Sequence, residues 1–217
     1  MGAKKKNGRP VATRTYDPER TRQDIIAVAT TEFAEKGLSG ARIDRIAART
    51  KTSKRGIYYY FGSKEKLYIS VLEEAYRNIR SIESRLELDH LPPEDALRTL
   101  VGFTFDYENA NPQFIRLVMN ENIHYGKYLA RSSAIQKLNV TAIDSVRRVL
   151  ERGARDGVFR AGIDPVDLHM SISALCFFNV ANRYTFSRIF KRDMESPAAL
   201  AARRATIIDT VLAAVRR

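Results

Sequence analysis

A chain of 217 residues, 44% of them hydrophobic, is long enough for one large domain, or a small module on a bigger one, with ample core. It holds no run of about eighteen apolar residues, which excludes a membrane-spanning helix, and its charged start, MGAKKKNGRP, lacks the apolar run of a secretory signal. Cys176 is the single cysteine, which excludes an intrachain disulfide framework and fits a reducing cytoplasm; the net charge of +12 calls for a polyanionic partner.

Residues 1–16 show no periodicity and read as a flexible basic arm carrying Lys4, Lys5, Lys6, Arg9 and Arg14. Asp17-Pro18 then opens a helix, since Asp caps free amides and Pro suits the first helical position. Ile25, Ile26, Ala29 and Phe33 form its buried face, and Gly37 stops it. Ile43, Ile46 and Ala47 make a short one-sided helix. Ser53 starts another, with Ile57 and Phe61 on its core side, and Ser63 caps a fourth that runs to Leu86 with Ile82 on its apolar face.

After His90-Leu91-Pro92-Pro93 the helices lengthen. One spans about 93–110, and Asn111-Pro112 breaks it and starts the next, with Phe114, Ile115, Leu117, Val118 and Met119. A helix over about 132–156 ends at Gly157. Asp164-Pro165 starts a segment running to about 189, with Leu168, Ile172, Leu175, Asn179 and Asn182 along one face. Ser196-Pro197 begins the last, with Leu200, Ile207, Ile208, Val211, Leu212 and Val215. No alternating strand pattern and no internal repeat occurs, so the expected class is all-α with about nine helices.

Charge is unevenly spread along these elements. Residues 1–66 hold 16 Lys and Arg against 7 Asp and Glu, while the rest of the chain holds 21 against 18. An ordinary solvated basic face would be even, so the polyanion is expected to meet the first third. Membrane-surface binding is the rival, but this region has no helix cleanly divided into basic and apolar faces. Within it, the Ser53 helix carries Lys54, Arg55, Tyr58, Tyr59 and Tyr60 in little more than two turns. Three consecutive tyrosines point about 100° apart on a helix and cannot all be buried. With Ile57 and Phe61 inside, Lys54, Arg55, Tyr58 and Tyr59 are left to face a DNA groove or backbone, and Gly56 among them would allow close approach.

Residues 21–67 resemble the DNA-binding module of the TetR/AcrR family of transcriptional regulators. The match rests on Phe33-Ala34-Glu35-Lys36-Gly37, Ile46-Ala47, Ser53-Lys54, Ile57-Tyr58-Tyr59-Tyr60-Phe61 and Ser63-Lys64-Glu65-Lys66-Leu67, without insertion. The resemblance implies a dimer formed by a four-helix bundle of the last two long helices of each subunit. It also implies a small-molecule effector in the second domain that tilts the fourth helix and changes the spacing of the recognition helices. Lys64 resembles the family's backbone-anchoring lysine, at a helix start whose free amides also attract phosphate. Two departures stand out: Lys51 occupies a turn position where Gly is frequent, so a left-handed backbone is expected there, and Ala41-Arg42 replaces the Ser or Thr that often precedes the second helix. Gly8-Arg9-Pro10 resembles the core of minor-groove hooks; a solubilising tail is the other reading of the arm.

The expected organisation is therefore an arm at 1–16, a DNA-binding domain at 17–66 with the helix-turn-helix at about 42–61, and a ligand-binding and dimerisation domain at 67–217. DNA contacts are expected from Arg42, Ser53, Lys54, Arg55, Gly56, Tyr58, Tyr59, Tyr60 and Lys64. Phe103, Tyr107, Phe114, Glu121, Asn179 and Asn182 are expected to converge on an effector, because apolar walls with a few polar groups make small-molecule pockets, and Arg116 and His124 hint at an anionic or aromatic one. Phe177, Ala181, Ile208, Val211 and Leu212 are expected at the dimer interface. His90, His124 and His169 show no metal-site spacing, and no nucleophile elbow or phosphate loop occurs, so neither metal, cofactor nor enzymatic activity is expected. The function expected is a dimeric repressor on a palindromic double-stranded operator, released by an effector, in a bacterial cytoplasm at the nucleoid and off the membrane. A structural or cell-cycle DNA-binding protein controlled by a protein partner is the alternative.

Overall fold

A computed structural model describes residues 17–217; the arm expected at 1–16 lies outside the described residues. These residues form ten α-helices and two short 3-10 turns, with one isolated bridge between Phe159 and Arg216. The helices are α1 (Pro18–Gly40), α2 (Ile43–Arg49), α3 (Lys54–Phe61), α4 (Lys64–Glu83), α5 (Pro93–Ala110), α6 (Pro112–Ile123), α7 (Ser133–Arg155), α8 (Pro165–Ala181), α9 (Arg183–Phe190) and α10 (Pro197–Val215). None is long and apolar enough to cross a membrane.

Helix starts follow local chemistry. The Asp17 carboxylate accepts the Arg20 N–H at 3.0 Å, Ser53 Oγ that of Gly56 and Ser63 Oγ that of Lys66, both at 3.1 Å. Asp164 accepts from Val166 and Asp167, and Ser196 from Ala199. Each cap satisfies an amide that the helix cannot pair, for about 1 kcal/mol. Gly37 adopts φ 65°, outside helical space, and interrupts α1 as expected.

Three local expectations are corrected. The single helix expected over 164–189 is two helices, meeting at Asn182. Asn182 closes one and opens the other: its N–H donates to the Phe178 carbonyl and its carbonyl accepts the Phe186 N–H, while its own backbone, at φ −108° and ψ 4°, leaves helical space and breaks the axis. The fourth helix stops at Glu83 rather than Leu86, and Ile82 faces solvent. Lys51 is not among the residues with positive φ, which are Glu87, Tyr125 and Lys191 outside glycine.

Two cores organise the chain. The first gathers Ile25, Phe33, Ile46, Ile57, Phe61, Leu67 and Tyr68 from α1–α4 and draws in Leu117 from α6, Tyr128 from the following loop and Ile135 from α7. The second is built by Leu97, Leu100, Val101 and Phe105 of α5, Val146 and Val149 of α7, Ile172 and Cys176 of α8, and Ile207, Ile208, Val211 and Leu212 of α10. Burial of Cys176 pushes its thiol up, which suits an inert core residue. Ile208, Val211 and Leu212, expected at a dimer interface, are thus committed to the protomer's own core, because α10 turns that stripe toward α5. Phe177 and Ala181 are half-buried. The large apolar side chains α8 leaves in solvent are Val166, Met170 and Phe178, with the small Ala174 between them.

Candidate nucleic-acid interface and effector region

The head holds α3 on a braced frame. Arg42, which opens α2 without a side-chain cap, donates its own backbone N–H to Glu32 Oε1 at 3.1 Å, so a buried carboxylate from α1 anchors the start of the helix. Asp44 of α2 pairs with Lys54 at 3.0 Å and with Arg42 at 3.6 Å. The hydrogen bond and charge of Lys54 hold the Asp44 carboxyl below its ordinary value, and Asp44 raises the Lys54 ammonium in turn. In the unbound protein Lys54 is therefore a strut between α2 and α3, on a surface where such pairs contribute little to stability.

Gly56 is required by packing within the head. A Cβ there would lie 2.7 Å from Thr52 Cγ2, so the glycine lets the turn close on α3. Ser53 is occupied as the α3 cap, and Tyr60 is half-buried against the first core and stacks edge-on to Tyr59 at 5.6 Å. Lys64 Nζ donates to the Ser39 carbonyl at 3.4 Å, which ties the start of α4 to the end of α1. Arg42, Ser53 and Lys54 are exposed as well as engaged, while Arg55, Tyr58 (39% exposed) and Tyr59 (83% exposed) face outward without an ion pair or hydrogen bond among the described residues. Arg45 and Arg49 of α2, one turn apart and exposed, extend this outward set; the sequence reading passed over them, though their spacing of four on the polar side of a helix was visible. Cations and hydroxyls so placed bind phosphates and base edges.

The six residues expected to converge on an effector fall in three places. Phe103, Tyr107 and Phe114 do meet, in an aromatic ladder: Phe103 is tilted on Tyr107 at 5.8 Å, Phe114 is edge-on to Tyr107 at 6.2 Å, and Tyr76 of α4 is edge-on to Phe114 at 5.4 Å. Tyr107 and Phe114 line a groove of about 740 Å³ between α5–α6 and the surface formed by Ile26 and Thr30 of α1 and Ala75 of α4. Glu121 is elsewhere: it is buried, and its Oε2 accepts the backbone N–H groups of Tyr128 at 3.2 Å and Leu129 at 2.8 Å. Burial, with the Glu121 charge added, pushes the nearby Tyr68 phenol up. Asn179 lies against the end of α5, donating to Asn109 Oδ1 at 2.9 Å, and Asn182 is the joint between α8 and α9. Arg116 is exposed, and the His124 ring Nδ1 sits 2.7 Å from the Asn120 carbonyl at the end of α6. α6 lies along α1, held at Gln113 and Asn120, and Glu121 at its far end turns to the backbone of Tyr128 and Leu129 rather than to Asn179 of α8.

The interior holds charges that the sequence reading missed. Arg80 pairs with Glu83 and donates to Asn139 Oδ1 at 3.2 Å. Glu108 is buried with Oε2 unpartnered; burial raises its carboxyl to about 8, against the pull of Arg80. Burial, then Arg80, lowers His169 to about 4. The available signal was a charge at helical spacing from apolar neighbours: Arg80 beside Tyr76 and Ile79, Glu108 beside Phe105. Among the described residues, no three His, Cys, Asp or Glu side chains come together to hold a metal ion.

Comparison with known proteins agrees with this geometry. Residues 25–71 match the family described as bacterial regulatory proteins, tetR family, and residues 93–211 match the tetracyclin repressor-like C-terminal domain. The HTH-type transcriptional repressor NicS of Pseudomonas putida is 37% identical over 209 residues, covering 96% of this chain and 99% of the relative. The HTH-type transcriptional repressor SCO4008 of Streptomyces coelicolor is 36% identical over 138 residues, 63% of this chain and 68% of the relative. The crystal structure of the putative transcriptional regulator SCO4942 from Streptomyces coelicolor superposes with a TM-score of 0.67 at 30% identity, over 90% of this chain and 98% of that one. Relatives named as repressors do not favour a structural or cell-cycle role under a protein partner. The chain belongs to the TetR family: it is a helix-turn-helix, DNA-binding transcriptional regulator of the repressor class, not an enzyme.

Proposed function

We propose that the chain acts as a homodimer that holds a two-fold symmetric operator through α3 and leaves it when a small effector binds the second domain. Arg55, Tyr58 and Tyr59 contact one half-site, with Arg42, Arg45, Arg49 and Lys64 on the flanking phosphates. Two such helices require half-sites roughly 34–36 Å apart or a multiple of this. The head at 17–66 and the body at 67–217 form the two working parts, and the protein operates at the bacterial nucleoid.

The observation that carries this reading is the shared core. Leu117, Tyr128 and Ile135 of the body pack among head residues, and α6 grips α1 at two points: Gln113 Nε2 on Thr31 Oγ1 at 3.2 Å and Asn120 Nδ2 on the Phe33 carbonyl at 3.3 Å. A body that changes shape therefore moves the frame of α3, and an effector shifts operator affinity by its preference between the two shapes. The dimer face is the solvent side of α8 and α10, where α8 exposes Val166 and Met170 and α10 exposes Ala198, Ala201 and Ala205, small enough for close helix approach.

Footprinting of the purified protein on its own upstream region, followed by anisotropy on the protected sequence, tests the reading. Protection of a palindrome, with affinity reduced at least about tenfold by Arg55→Ala or Tyr59→Ala, is the expected result. Equal affinity for unrelated duplexes at matched salt would refute it.

A further inference from the structure

A cavity of about 380 Å³ lies between α8, α9, the 191–195 loop and α10, apart from the aromatic ladder. Its size is that of a small-molecule site. Phe178 and Phe186 form an apolar wall, edge-on at 5.8 Å, with Met194 beside them. Arg192 and Arg203 line it too, and among the described residues neither guanidinium has an ion pair or a hydrogen bond. Asp193, also in the lining, is already engaged: its Oδ1 accepts the N–H groups of Glu195 at 2.9 Å and Ser196 at 3.1 Å. Two free cations against one occupied carboxylate leave the wall one charge positive. On the inner side sits Asn179, only 2% exposed, its amide nitrogen spent on Asn109 and no donor supplied to its carbonyl oxygen among the described residues.

We propose that this cavity is the effector seat, and that it takes a monocyclic aromatic carboxylate carrying a hydrogen-bond donor on its ring. The inference rests on the effector-responsive reading above and names its site and chemistry. Guanidinium forks match a carboxylate in two parallel hydrogen bonds. The ring lies against Phe178 and Phe186, and a hydroxyl or ring N–H satisfies the Asn179 carbonyl. A polyanion would leave charge unmatched by the net single positive wall, and a neutral hydrocarbon would leave both arginines and Asn179 unused. From the seat the path to the head is short. Asn109, which also accepts from Arg183 Nη2 at 3.2 Å, stands two residues before Asn111-Pro112, where α6 begins, and α6 is the helix that grips α1.

The test is calorimetry on the full-length protein with benzoate, 3-hydroxybenzoate and phenylacetate, and with benzamide as the uncharged control. Operator affinity is measured by anisotropy in parallel. We expect 3-hydroxybenzoate to bind more tightly than benzoate and benzamide not at all. Arg203→Met and Arg192→Met, checked for unchanged melting, should each weaken binding about tenfold or more. Failure of all three carboxylates to bind at low millimolar concentration overturns the ligand class. Binding that both variants retain overturns the site; if operator release then persists in both, the effector-responsive reading stands without it. Binding that the arginine variants lose but that leaves operator affinity unchanged upholds the site as a binding site and overturns its role as effector seat.

Discussion

At the scale of single residues, the head separates side chains that build α3 from those that α3 presents. Tyr58, Tyr59 and Tyr60 are chemically alike, yet Tyr59 is almost wholly in solvent while Tyr60 packs on the first core. Tyr59→Ala should weaken operator binding without changing the melting temperature, whereas Tyr60→Ala should lower both, and a thermal melt beside a binding isotherm separates them. Loss of stability on Tyr59→Ala would overturn the assignment. Buried charge makes a second residue-scale prediction. Glu108 keeps its proton in the folded state up to about 8, while the unfolded chain releases it near the ordinary 4.5. The folded state thus binds more protons across that window, and its stability falls as pH rises from about 4.5 to 8. His169 acts in the opposite sense: lowered to about 4 from 6.5, it takes stability away as pH falls through that interval. Urea melts across the pH range should show Glu108→Gln flattening the alkaline limb only. An unchanged limb would show that Glu108 is ionised in the fold.

At the scale of elements, glycines set how closely helices meet their neighbours. Gly153 of α7 seats the Phe159 ring, and an added Cβ would come within 1.9 Å of it; Phe159 itself is buried at the turn that sends the chain back to α8. Gly153→Ala must therefore displace a core aromatic and is expected to cost about 1–3 kcal/mol by chemical denaturation. Gly102→Ala would meet the Arg204 guanidinium, the far end of a flexible side chain bound to Asp106 on the surface, so it should cost much less than Gly153→Ala. Equal costs would mean that Phe159 yields as easily as an arginine tip. The start of α2 is held across elements, since Glu32 of α1 accepts the Arg42 backbone N–H, so Glu32→Ala should destabilise the head by leaving that amide unpaired.

At the scale of the whole molecule, the solvent sides of α8 and α10 carry the expected dimer. Met170 is 61% exposed, whereas Val211 is 2% exposed in the protomer core. Met170→Asp should give a folded monomer by sedimentation with operator binding lost, and Val211→Asp an unfolded chain; a parent protein that sediments as a monomer at micromolar concentration would refute the dimer. The fold itself was legible from local signals. Asp17, Ser53, Ser63, Asp164 and Ser196 announce helix starts through their own backbone bonds, and Gly37 announces a stop, because these are interactions within one turn. The family was legible too, since the 21–67 motif is contiguous. What only the tertiary structure decided is which side of each body helix faces a neighbour. Periodicity identifies an apolar stripe but not its partner, so Ile208, Val211 and Leu212 read equally well as interface or core, and Glu121, Asn179 and Phe114 as one site. The lean of α6 onto the head and the turn at Asn182 settle those choices, because a helix's orientation follows from packing against elements distant in sequence.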